Sequence, residues 1–142
     1  MTLSFGGTIL VPVADPDDGE RTAVALAPHL EPSSAVLVVN VIEKAGGAPD
    51  KASVEQREEY AREIFERARG PLEERAASVE TAILFGTDVV EAITNAAKER
   101  GVDAVVFEPR GGNRFAELLS GDVARRLVTR ASVPVVALPR EE

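Results

Sequence analysis

Residues 103–138 read DAVVFEPRGGNRFAELLSGDVARRLVTRASVPVVAL. An apolar run at Asp103–Phe107 is followed by the turn signal Gly111-Gly112, an amphipathic stretch from about Asp122 to Arg130, and a second valine run, Val133–Leu138 (VPVVAL). Strand, loop, helix and strand in that order form a βα repeat, the signature of a parallel sheet rather than a sandwich. The alternation continues upstream. TILVPV at Thr8–Val13, AVLVVNVI at Ala35–Ile42 and the run Val79–Phe85 bring the strands to five. The second, fourth and fifth are apolar on both faces, as strands covered by helices on each side should be.

The helix signals between the strands are local. Asp15 and Pro16 followed by Asp17, Asp18 and Glu20 supply a cap, a first-turn proline and acid near the positive helix end, predicting a helix to about Leu30. Ser53 with Gln56 resembles a capping box, and Ala61, Ile64, Phe65 and Ala68 then share one face. Gly70-Pro71 is expected to end or kink that helix before Leu72–Ala77 resumes it. Thr87 is expected to cap a third helix through Lys98, with Gly101 as its stop. Lys44–Lys51 (KAGGAPDK) reads as a loop inside one domain of residues 1–142, at the ligand-bearing edge of the sheet.

Composition narrows the function classes. With 142 residues, 44% apolar, the chain is large enough for one core. Its net charge of −8, from 24 acidic and 16 basic residues, opposes nucleic acid and anionic membrane surfaces. No cysteine is present and His29 is the one histidine, which removes thiol chemistry, disulfides and multi-histidine metal sites. Met1–Ala14 has neither the basic flank nor the apolar length of a signal or a span, so a cytoplasmic protein is expected. Lysine occurs only at 44, 51 and 98; this arginine bias with excess acid fits a salt-adapted cytoplasm, and equally a biased genome.

The quoted stretch resembles the universal stress protein family: a strand opening with Asp, a glycine-rich loop, a glycine opening a helix, and a last strand with Pro-Val. ILVPVA at 9–14 resembles the family's first strand, and Gly86–Ile93 its turn into the third helix. The resemblance implies a single-domain open α/β fold, adenine nucleotide alpha hydrolase-like. Its parallel five-stranded sheet has order 3-2-1-4-5 with helices on both faces. In that order the winding reverses between strands one and four, so residues 14–21 and 108–122 flank the ligand crevice. Nucleotide-binding members carry glycine, two residues, glycine, nine residues, glycine, then Ser or Thr in the second loop. Gly111 and Gly121 match. Glu108 stands at the first glycine, Asp122 at the hydroxyl, and Ala14 at the family's nucleotide-contacting aspartate, with Asp15 one residue later.

A carboxylate about 5 Å from a phosphate oxygen costs roughly 3 kcal/mol at an effective dielectric of about 20. A helix start returns only about 0.3–1 kcal/mol. The three departures therefore argue against tight ATP binding. Residues 14–21 and 108–122 together carry seven acidic and three basic side chains, half of the whole net charge. Candidate pocket residues are Val13, Ala14, Asp15, Val41, Glu108, Arg110, Gly111, Gly121 and Asp122. Arg110 and Arg114 would hold an anion or else pair with Glu108, Glu117 or Asp122. Asp15, Asp17, Asp18 and Glu20 fail the calcium-loop pattern and read as helix-capping acid.

The expectation is a non-catalytic, dimeric stress-response module with no cofactor required and an unidentified protein partner. The dimer would form through Val133, Val135 and Val136 on the last strand, an edge that needs a cover. Two alternatives are an adenine-nucleotide switch using main-chain groups of Val13 and Val41, and a small-ligand carrier or hydrolase using the altered pocket.

Overall fold

The computed structural model describes residues 4–43, 51–109 and 121–139, with backbone alone at 51–53 and 121. Strand β1 (Thr8–Pro12), helix α1 (Pro16–Leu26), β2 (Ala35–Glu43), α2 (Lys51–Glu73) and β3 (Ser78–Gly86) form the first half of the chain. Then come α3 (Val89–Glu99), β4 (Ala104–Phe107), α4 (Gly121–Arg130) and β5 (Val135–Ala137). The sheet runs β3-β2-β1-β4-β5 with every pair parallel, the order that the family resemblance implies.

Alternation along the strands builds the two cores, because successive side chains leave opposite faces. Ile9, Val11, Val36 and Val38 pack with Ile64, Phe65 and Leu72 of α2 and Leu26 of α1. On the other face, Leu10, Leu37, Val39, Val105 and Phe107 meet Val90 and Ile93 of α3 and Leu127 of α4. Gly19 of α1 sits against Ile64, where a Cβ would lie 3.1 Å from Cγ2 and 3.2 Å from the carbonyl oxygen. The absent side chain sets how closely α1 and α2 cross.

Several local expectations need correction. Helix α1 stops at Leu26 and hands over to a 3-10 turn, Ala27–His29, because Pro28 cannot donate into the ladder. Helix α2 begins at Lys51, so Ser53 lies inside it and is not its cap. It runs unbroken through Pro71 to Glu73 and does not resume to Ala77. The proline costs about 3 kcal/mol in a helix interior, and the burial of Leu72, worth about 1.5–3 kcal/mol and lost if the helix stopped at Gly70, offsets much of that cost. The cap of α3 is Asp88, not Thr87. Gly101 does terminate α3, in the left-handed region at φ 61°. Strand β5 is only three residues long and partly exposed, since no strand flanks its outer side among the described residues.

Candidate functional site

The crevice opens where β1 leaves the sheet between β2 and β4. The turn out of β1 is tied at nearly every polar atom. Val13 donates its amide to the Val39 carbonyl at 2.9 Å, and its own carbonyl accepts from buried Asn40 Nδ2 at 2.8 Å. The Ala14 amide donates to Asp18 Oδ2 at 2.8 Å, and Thr22 Oγ1 reaches Asp18 Oδ1 at 3.4 Å. Asp15 caps α1 by accepting from the Asp18 amide at 2.8 Å, and Pro16 has no amide hydrogen to offer. Asp17 and Glu20 both hold Arg67 of α2, at 3.0 and 2.6 Å. The acidic start of α1 is therefore consumed by capping and helix pairing, and among the described residues no three carboxylates or histidines come together to hold a metal.

Val41 is different. Ala35 donates to Gly7 O and Val39 accepts from Val13, so odd-numbered residues of β2 turn their amide groups toward β1. Val41 lies beyond the end of β1. Its N–H and C=O face the crevice with no partner among the described residues, while its side chain is buried on the α3 side.

Across the crevice, Glu108 directly follows β4 and is 2% exposed. Its Oε1 is met by Arg21 of α1 at 3.5 Å, across the line between β1 and β4. Its second oxygen has no partner among the described residues. Asp122 turns away, exposed, to Arg125 one helical turn on at 2.8 Å. Glu108 and Asp122 are thus not brought together, and each has a different arginine. Gly121 opens α4. Arg110, Gly111, Gly112, Arg114 and Glu117 lie outside the described residues.

A second charged pair braces the α3–α4 side. Asp88 caps α3 by accepting from Val90 N at 2.9 Å and Glu91 N at 3.4 Å, and also receives Arg126 of α4. The Arg126 guanidinium, helped by those two amides, holds the Asp88 carboxyl below the ordinary carboxylate range. Tyr60 on α2 has its phenol pushed up, first by partial burial and then by the charges of Asp15, Glu63 and Asp17.

Sequence reasoning places Val13, Ala14, Asp15 and Glu108 at the crevice but misses Asn40, Asp18 and Arg21 as the groups that fix it. Asn40 carries one signal, a lone polar residue inside an otherwise apolar strand. Arg21 carries none, since its partner lies 87 positions away.

An open parallel sheet whose winding reverses between β1 and β4 defines a doubly wound α/β domain, the kind of sheet in which ligands bind at that reversal. The chain belongs to the universal stress protein family, whose model matches residues 7–139. Similar solved structures include universal stress protein UspA from Lactobacillus plantarum, 20% identical, covering 98% of this chain and 99% of that one, TM-score 0.70. The Archaeoglobus fulgidus universal stress protein in complex with dAMP is 21% identical over 98% of this chain and 100% of its own, TM-score 0.66. A family protein from Arabidopsis thaliana with AMP bound is 17% identical over 95% and 92%, TM-score 0.66. At these identities the likeness carries the fold. No curated protein sequence matches the chain.

Proposed function

We propose that this chain is a non-catalytic, dimeric stress-response module whose crevice binds ATP weakly or not at all. The observation that carries the reading is Glu108, a buried carboxylate held by Arg21 at the position where the family's nucleotide motif, as the resemblance implies, would have its first glycine. The turn at Val13 and Ala14 adds to it, because its amides are already donated within the protein. The dimer would form through β5, covering Val133, Val135 and Val136, which are half-buried in the single chain. The cytoplasm fits the family, and among the described residues no helix is long and apolar enough to cross a membrane.

One observation favours the adenine-nucleotide switch: the open N–H and C=O of Val41, together with relatives crystallised with AMP and dAMP. Two measurements separate the readings. The purified protein is denatured and the supernatant assayed for adenine nucleotide, and the native protein is titrated with magnesium ATP. Stoichiometric nucleotide or micromolar affinity would sink the proposal. The Glu108→Gly, Asp122→Ser double variant should gain affinity if charge is the obstacle. Light scattering at micromolar concentration tests the dimer, and a monomer contradicts it.

A further inference from the structure

We infer that β3 is a second self-association edge, at which two copies of this chain pair antiparallel and join their sheets. The inference goes beyond the proposed function, which needs only the β5 edge. Strand β3 is paired with β2 along its nine residues and has no strand on its outer side among the described residues. Odd-numbered residues of β2 turn their amides to β1, so its even-numbered residues face β3. The parallel register of Val36 with Val79 then points the N–H and C=O of Val79, Thr81, Ile83 and Phe85 outward. The stretch from Val79 to Leu84 is exposed or half-buried at every position and Phe85 is 42% exposed, whereas Val36–Ile42 beside it is buried. Edges are ordinarily blunted by lysine, proline, a bulge or brevity. SVETAILFG has none of these and carries one charge, Glu80.

A second copy complements this edge. A two-fold axis at Ala82 overlaps all of β3 and sets Val79 against Phe85 of the partner subunit and Thr81 against Ile83 of the partner subunit. These are hydrogen-bonded positions, about eight main-chain bonds in all, and aromatic or β-branched pairs of the kind that stabilise antiparallel sheets. Glu80 falls opposite Leu84 of the partner subunit, about 13 Å along the strand from its own copy, so the charge on this edge does not repel itself. The helices add to the fit. Helix α2 packs on both β2 and β3, so its copy would stand two strand spacings away, about 9–10 Å, the distance of packed helices. Arg67 and Tyr60 face the acidic start of α1, which leaves Glu58, Arg62 and Arg69 on the opposite flank, toward the β3 edge. Antiparallel helices bring the Glu58 end of each toward Arg69 of the other, and Arg69 makes no ion pair among the described residues. A lone extended peptide would supply the strand and none of this helix contact.

The test measures the mass of the full chain by sedimentation from micromolar to submillimolar concentration. Thr81→Pro removes an outward donor and no bond to β2, and Thr81→Lys sets like charges about 7–8 Å apart across the axis. Each should weaken the association about tenfold or more with circular dichroism unchanged, and the lysine variant serves if proline disturbs the strand. Ala137→Pro is the counterpart on β5, whose odd-numbered residues face outward because Leu138 donates to Phe107 O; it should leave the β3 association intact. The chain has no cysteine, so Ala82→Cys reports the axis: at this non-hydrogen-bonded position the two Cα atoms lie about 4.5 Å apart, within disulfide range. It should oxidise to a covalent dimer much faster than Asn95→Cys, exposed on α3. Unchanged association in both Thr81 variants, or equal crosslinking at the two cysteine positions, would overturn the inference. Association lost in Ala137→Pro alone defeats it and keeps the β5 dimer. Association lost in the Thr81 variants alone supports it and removes the β5 dimer. A wild type that is monomeric throughout defeats both and leaves the edge to a foreign extended strand.

Discussion

Gly19 and Gly70 both lie within helices, and replacing each with alanine should move stability in opposite directions. Alanine is favoured over glycine in a helix interior by about 0.8–1 kcal/mol. Gly70 is exposed, and a Cβ added there would meet nothing within 4 Å. The gain is then opposed only by the following Pro71, which disfavours helical backbone before it. A net stabilisation of about 0.5 kcal/mol is expected there. At Gly19 the new Cβ would sit 3.1 Å from Ile64 Cγ2 and 3.2 Å from the Ile64 carbonyl oxygen. A methyl group can turn aside, but a carbonyl within α2 cannot move without its helix. Overpacking of this kind costs about 1–3 kcal/mol, which exceeds the propensity gain and leaves a net loss of about 1 kcal/mol. Urea unfolding followed by circular dichroism reads both variants, with the midpoint moving and the slope constant. The loss corresponds to about 3 °C in Tm for a chain of this size. A Gly19→Ala variant as stable as Gly70→Ala would refute the close crossing of α1 and α2.

Asp88→Ala should cost about 0.5–2 kcal/mol through loss of the α3 cap, and Asp88→Ser should recover most of it because serine keeps the capping acceptor; thermal unfolding compares them. The Asp88 carboxyl is held low chiefly by the Arg126 guanidinium, so its contribution is present above the unfolded value near about 3.9 and is lost as pH falls through the folded value. Urea midpoints measured down through that window should therefore fall less steeply in Asp88→Asn than in the wild type. Tyr60 is the one tyrosine and the chain has no tryptophan, so phenolate absorbance reports it alone; its midpoint should lie above about 10 and drop in Asp17→Asn. Asn40→Leu should destabilise by about 1–3 kcal/mol, because the buried Val13 carbonyl loses its side-chain donor; chemical denaturation measures it.

The sheet is legible in the sequence because its signals are local. AVLVVNVI announces a buried strand and VPVVAL a strand by composition, Asp15-Pro16 announces a helix start, and Gly101 a helix stop, each within a few residues; that the last strand is short and half exposed is not announced. The crevice chemistry is legible only where a family pattern assigns positions, as at Glu108 and Asp122. What those two carboxylates do is beyond reach, since one is buried against Arg21 and the other is exposed beside Arg125, and burial is decided by the packing of distant segments. The helix errors have the same origin. Pro71 disfavours a helix by intrinsic preference, and the burial of Leu72 in the core, which no local signal reports, offsets much of that preference. Thr87 and Asp88 are both competent caps, and the choice falls to the residue that also receives Arg126 from α4.

The ladder is unevenly shared among the strands. β2 and β3 are matched at nine positions and β1 and β2 at five, whereas β1 meets β4 only at Ile9 with Ala104 and Leu10 with Val105. The β1–β4 join is thus the thinnest seam of the ladder, although both cores run across it, and amide exchange is expected to be fastest along it. The crevice lies on that seam. An occupant of the crevice that touched both of its walls would bridge that seam, and its presence would register as slower exchange in β4 and β5, away from the atoms it contacts.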